Sequence, residues 1–141
     1  MKIGDVAARV GTTTRTIRYY EEIGLLSTGE RSAGEHREYT QADVERLREL
    51  LRLKHMLGLT LEELKAVMHG EDARAQRRRE WHETADPGER RRILHEAAAH
   101  VDSLLELVRR RRADLESFEA ELNERRQKQS HLLRELGETV R

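Results

Sequence analysis

Residues 13 to 26 read TTRTIRYYEEIGLL, and Arg15, Arg18, Tyr19 and Tyr20 crowd into its first half. Arg15 and Arg18 are three apart, so on a helix they share a face, while Ile17 points away from it. A guanidinium fork can grip the paired acceptors of a guanine edge or hold a phosphate oxygen. A tyrosine hydroxyl can reach a phosphate while its ring lies against the sugar. The chemistry these residue types suit is contact with a DNA groove, with Thr14 at the entry of the same helix. Periodicity leaves open which of Tyr19 and Tyr20 faces outward. The competing reading is a solvated helix face on which Glu21 and Glu22 pair with the arginines at i+3 or i+4.

The elements that must position these side chains favour the groove. Val6, Ala7 and Val10 follow helical spacing, and Gly11 stops the segment. Thr12, Thr13 and Thr14 are cap candidates for a second helix running to about Glu22. Gly24 ends it, and Leu25 and Leu26 can pack back on the first helix. Two short helices joined by a tight glycine turn make a helix-turn-helix unit, whose second helix normally enters the major groove. The polar stretch STGERSAGEHREYT, with Gly29 and Gly34, reads as a wing of two brief strands. Arg31 and Arg37 would supply phosphate contacts there. Thr40 and Asp43 mark the next helix start, and Val44, Leu47, Leu50, Leu51, Leu53 and Leu57 form its apolar stripe up to Gly58. Thr60 and Glu63 form a capping box that opens a short helix with Leu61, Leu64, Val67 and Met68. Residues 1–69 are expected to form a winged helix-turn-helix DNA-binding domain.

Residues 70–88 are expected to be a linker with a short helix. Asp86 as cap, Pro87 at the first helical position and Glu89 then announce a long one. Leu94, Val101, Val108, Leu115 and Leu122 recur every seven residues, followed at three by Ala97, Leu104, Arg111, Phe118 and Arg125. This a/d pattern lasts about four heptads, with two arginines in the d register. A rod from Pro87 to Arg125 would be roughly 58 Å long and could not bury its stripe on one small domain. A second copy of the chain is the simplest partner. The expected dimerisation residues are Leu94, Val101, Leu104, Val108, Leu115, Phe118 and Leu122, in a coiled-coil helix over 89–126. Residues 127–141 are expected to be a short tail or helix. The fold class expected is all-α with a small β wing.

Composition bounds the alternatives. The chain has 141 residues, is 36% hydrophobic and 38% charged, and carries a formal net charge of zero. Long solvated helices fit this better than a thick globule. Zero net charge does not exclude nucleic acid, since placement of charge decides. The absence of Cys removes disulfides, thiolate metal sites and thiol redox sensing. No apolar stretch approaches the ~20 residues of a membrane span, and no signal peptide is recognisable, so the expected location is cytoplasmic, with no membrane partner. His95 and His100 are poorly spaced for one helix face, His82 and His131 lie far off in sequence, and no metal or other cofactor is expected. Trp81 reads as packing of the linker helix, the alternative being a small apolar pocket shared with Leu94 or Phe118. The run RRRR at 109–112 reads as an exposed coil face paired with nearby acids.

The stretch KIGDVAARVGTTTRTIRYYEEIGLL, the Arg-bearing loop, HREYT and LRLKHMLGLTLEEL together resemble the N-terminal domain of the MerR family of transcription regulators. The resemblance covers residues 1 to about 70; beyond that only the long helix is similar. It implies a homodimer joined by an antiparallel coiled coil that binds an inverted repeat in double-stranded promoter DNA. It further implies bending and untwisting of the promoter spacer, with RNA polymerase as a partner at the promoter. By position, Arg18 and Tyr20 would match recognition-helix contacts, with Arg15 also compatible, and Arg31, Arg37 and Tyr39 would match wing contacts. The chain departs from the family at the wing, where Glu35-His36-Arg37 stands for the usual Gly-Tyr-Arg and Gly34 sits one earlier. His36 can still donate to a phosphate, more strongly when protonated. The small-molecule effector is unknown, and the thiol sensing of many relatives is excluded.

Two other classes compete. A protein-interaction adaptor could use the same helix-turn-helix domain, but such a surface would show apolar anchors rather than Arg15, Arg18 and Tyr20. An architectural DNA binder would not need the long dimerising helix. An enzyme fits worst, since no nucleophile–base pair, phosphate loop or metal constellation is present.

Overall fold

The computed structural model describes residues 1–27 and 38–138. Five α-helices follow one another: α1 (Ile3–Val10), α2 (Thr14–Glu22), α3 (Gln41–Leu57), α4 (Leu61–Glu83) and α5 (Pro87–Glu135). No strand occurs among the described residues. Most of the expected wing lies outside them, including Arg31, His36 and Arg37. The chain forms two compact units, Met1–Ala97 and Ala98–Arg141.

Local sequence explains each helix end in the first unit. Gly11 closes α1 in the left-handed region, at φ 75°, where a Cβ would be strained, and its N–H bonds to the Ala7 carbonyl. The reversal brings in Thr13, whose hydroxyl accepts from the Thr16 N–H at 3.1 Å and caps α2. Thr40 and Asp43 form a reciprocal capping box at the start of α3, and Thr60 and Glu63 do the same for α4. Gly58, at φ 61°, ends α3.

The core of this unit collects the apolar faces so defined. Val6, Ile17, Val44, Leu47, Leu50 and Leu64 are fully buried, with Leu25, Leu26, Leu53, Leu57, Val67 and Met68 around them. Apart from Leu25 and Leu26, which follow α2, they keep the i, i+3, i+4 spacing of their own helices, so one side of α1, α2, α3 and early α4 is apolar. Arg46 of α3 binds the same elements by polar contacts. Its Nε donates to the Leu25 carbonyl at 3.0 Å, and its guanidinium meets Asp72 of α4.

Two boundaries differ from expectation. α4 does not stop near residue 69 but continues to Glu83, through Gly70. A helical glycine costs ~1 kcal/mol relative to alanine, too little to end a helix whose next residues, EDARAQRRRE, are mostly strong helix formers. Nor does the last helix end near 126, since RQKQSHLLRE continues α5 to Glu135. The residues expected as linker and tail are thus largely helical.

Thr84, Ala85 and Asp86 turn the chain between α4 and α5, and Asp86 accepts from the Glu89 N–H at 3.0 Å. Arg92 of α5 reaches back to Glu80 of α4 at 3.0 Å while also meeting Glu89 and Glu96. These hydrogen bonds raise the pKa of Arg92 and lower that of Glu80. Such exposed pairs hold an angle more than they add stability. Within the second unit, Val101, Leu105, Val108, Leu115, Phe118, Leu122 and Leu132 are all exposed.

Replacing Leu47 by Ala should cost about 2–5 kcal/mol of unfolding free energy in urea, as a buried leucine truncated in a packed core does. Thr60→Ala should cost only ~1 kcal/mol, the value of a cap. Equal losses in the two variants would contradict this assignment of core and cap.

Candidate nucleic-acid interface

α2 has nine residues and two unlike faces. Ile17, Tyr20 and Glu21 are buried against the core. Arg15, Arg18, Tyr19 and Glu22 are exposed on the opposite side, and Thr14 and Thr16 are half-buried at its edge. The buried set at i, i+3 and i+4 dictates this outcome, because rotating α2 to hide the arginines would expose Ile17. Among the described residues neither Arg15 nor Arg18 has an ion-pair partner. Glu21, the candidate partner at i+3, is turned inward.

The ambiguity between the tyrosines is resolved by their burial. Tyr19 is 45% exposed beside the arginines, whereas Tyr20 is 2% exposed. The Tyr20 hydroxyl accepts from the Lys54 ammonium at 3.1 Å, and the two tyrosine rings lie 6.1 Å apart at a tilt. Tyr39, expected at the wing, is 5% exposed. Its hydroxyl donates to the Glu21 carboxylate at 2.5 Å. Tyr20 and Tyr39, expected at recognition-helix and wing contacts, are both buried: each aromatic body fills the core and each hydroxyl has a partner inside the protein.

The segment after the expected wing is held at a second point. Tyr39 N–H donates to the Met1 carbonyl at 2.7 Å, and the Met1 ammonium donates to the Tyr39 carbonyl at 3.0 Å. The same ammonium meets Glu38 at 2.9 Å. That hydrogen bond and charge hold the Glu38 carboxyl below its ordinary range.

Lys54 is a residue that the sequence reading missed. With Thr16, Tyr19, Tyr20, Leu59, Leu61 and Leu64 it lines a depression beside the outward face of α2. A signal was available, since Lys54 falls one position past Leu53 at the edge of the α3 stripe. A long cationic side chain there lays its stem on the core and extends its charge to the surface. The expected dimerisation residues Leu94, Val101, Val108, Leu115, Phe118 and Leu122 are exposed, and Leu104 is half-buried. No helix among the described residues is long and apolar enough to cross a membrane.

The model of the MerR HTH family of regulatory proteins matches residues 1–71, which hold the four-helix core and the whole of α2. The chain belongs to the MerR family. Its members are DNA-binding transcription regulators, not enzymes. The chain is similar to the HTH-type transcriptional regulator YfmP of Bacillus subtilis (strain 168), with 35% identity over 122 residues, covering 86% of this chain and 87% of that one. It is also similar to the HTH-type transcriptional regulator ZntR homolog of Haemophilus influenzae, with 34% identity over 107 residues, covering 76% and 75% respectively. Among solved structures, HiNmlR, a MerR family regulator lacking the sensor domain and bound to promoter DNA, is similar in fold. The TM-score is 0.57 at 20% identity, covering 97% of this chain and 90% of that one.

Two measurements probe how this MerR chain holds α2. Tyr39→Phe removes a buried hydrogen bond to a carboxylate and should cost about 1.5–3 kcal/mol in urea unfolding. Unchanged stability would deny the bond any part in the core. For Glu38 the folded pKa lies below the ordinary 4.5, so its pairing stabilises above that pH and is lost as pH falls through the lowered value. Glu38→Gln should flatten that part of the acid limb of stability, and added salt should shrink it in the parent chain.

Proposed function

We propose that this MerR-family chain acts as a homodimer that binds an inverted repeat in promoter DNA and changes the conformation of that DNA. The observation that carries the reading is the outward face of α2, where Arg15 and Arg18 stand exposed with Tyr19 while Ile17, Tyr20 and Glu21 are buried. Arg18 and Arg15 read base edges or hold phosphates, Tyr19 and Thr14 contact the backbone, and Tyr20 and Tyr39 position the helix from behind. Arg31, His36 and Arg37 extend the contact at the wing. The fold shared with HiNmlR, which is bound to promoter DNA, supports this reading.

The homodimer reading draws on the ladder of α5. Its exposed apolar residues recur at a and d, and such a stripe calls for a facing helix. Parallel pairing would set Arg111 against its own copy and Arg125 against its own copy in the seam. Antiparallel pairing instead sets Val108 against Arg111, Leu104 against Leu115, Val101 against Phe118, Ala97 against Leu122 and Leu94 against Arg125. Like charges then part and the apolar layers close, which agrees with the antiparallel pairing that the family resemblance implies. Two winged domains at a fixed separation suit an inverted repeat, and bending the intervening DNA adds readout by deformability. RNA polymerase at the promoter is the partner such a change serves.

Selection of bound fragments from randomised duplex DNA should enrich an inverted repeat with one half-site spacing. No enrichment at low salt, where phosphate binding is strongest, would count against the reading. Arg18→Ala should weaken binding by about 1–3 kcal/mol and relax discrimination at one position per half-site, whereas equal loss on all sequences would make it a phosphate anchor. Val108→Asp should yield a monomer in sedimentation; a persisting dimer would overturn the pairing of the ladder.

A further inference from the structure

One guanidinium joins the exit of α2 to both α3 and α4. Arg46 lies between the buried Val44 and Leu47 on α3, and its side chain emerges half-exposed at the edge of the core. Its Nε donates to the Leu25 carbonyl at 3.0 Å. Its two terminal nitrogens donate to the two carboxylate oxygens of Asp72, at 2.5 and 3.2 Å. The result is a bidentate fork with a backbone carbonyl added at its third edge.

Both partners stand at points where an element could shift. Leu25 is 3% exposed and its N–H donates to the Tyr20 carbonyl at 2.8 Å, so it belongs to the turn that closes α2. Gly24, at φ 83°, makes that turn. The Leu25 carbonyl is thus tied to the end of the helix that carries Arg15 and Arg18. Asp72 falls on α4 in the row Leu64, Met68, Asp72, spaced by four. The first two are buried in the core, and Asp72 extends their row past Gly70, the residue of α4 least disposed to helix. Apolar packing holds α4 before Gly70, and Arg46 takes hold of it two residues beyond. An ion pair this exposed adds little to stability. Its directional effect is larger, because the planar fork keeps its three contacts from rotating independently.

We propose that Arg46 is a positioning residue for DNA recognition, fixing the exit of α2 against the part of α4 beyond Gly70 and thereby the half-site spacing that the dimer reads. The inference rests on the homodimer and the inverted repeat proposed above. α4 leads through the turn at 84–86 into α5, the helix proposed to pair with the second copy. Slack at Gly70 lets each DNA-reading helix shift against its own α4, so a dimer without the brace accepts several spacings. A lysine at 46 keeps the charge but reaches only one of the two partners.

The test uses the full-length chain and the inverted repeat enriched from randomised duplexes, remade with its spacer longer or shorter by one or two base pairs. A duplex carrying a single half-site serves as the reference. The parent should favour the selected spacing, and Arg46→Lys and Asp72→Ala should each reduce that preference at least about threefold. Affinity for the single half-site should stay within about twofold, because the exposed face of α2 is untouched. The Asp72 side chain is more exposed than buried, so its truncation leaves the core packed, and far-ultraviolet circular dichroism checks both variants. A role in folding alone would weaken binding to both kinds of duplex alike, and that result would overturn the positioning. So would a spacing preference as sharp in both variants as in the parent. A parent with no spacing preference would instead overturn the inverted-repeat reading, and the positioning with it.

Discussion

A carboxylate buried in a small core constrains everything packed around it. Glu21 is 6% exposed, and the Tyr39 hydroxyl meets it inside the protein. Apolar contacts tolerate small slips, because their free energy depends on area rather than direction. A hydrogen bond to a buried carboxylate does not, since losing it leaves charge desolvated with one donor fewer. The Glu21–Tyr39 bond therefore reinforces the rotation of α2 that the burial of Ile17 and Tyr20 dictates. It also ties α2 to the segment before α3, and the reciprocal bonds of Tyr39 with Met1 fix that segment to the start of the chain. Arg15 and Arg18 face outward because the residues behind them have one satisfactory arrangement.

The second half of the molecule has the opposite problem. α5 runs for 49 residues and has Ile93 as its buried residue. A helix gains most of its stability in proteins from packing of an amphipathic face, not from propensity. Leu115, Phe118 and Leu122 are too closely spaced and too large to be scattered surface residues. The exposed ladder of α5 is what the proposed homodimer would cover.

Much of this organisation was legible in the residues themselves. The turn at Gly11, the caps at Thr13, Thr40 and Thr60 and the stripe of α3 depend on groups within four residues of each other, so local rules find them. The end of α4 is not legible in the apolar spacing, which stops at Met68, whereas EDARAQRRRE carries the helix on through strong helix formers. The extension of α5 was missed for a related reason, since polar RQKQS carries no apolar repeat yet forms helix readily. Tyr20 and Tyr39 show a different limit. A nine-residue helix does not distinguish adjacent tyrosines by period alone, and the burial of Tyr39 depends on Glu21, eighteen positions away in sequence. Lys54 entered the site through contact with Tyr20 across the fold, which no spacing rule reports.

The zero net charge also acquires a physical sense once charges are placed. Twenty-seven basic and twenty-seven acidic side chains cancel in the sum but not in space. Arg92 is matched by Glu80, Glu89 and Glu96, and Arg46 by Asp72. Arg15 and Arg18 on α2, by contrast, have no ion-pair partner among the described residues. Placement of charge, not its sum, then decides where a chain of no net charge can attract a polyanion.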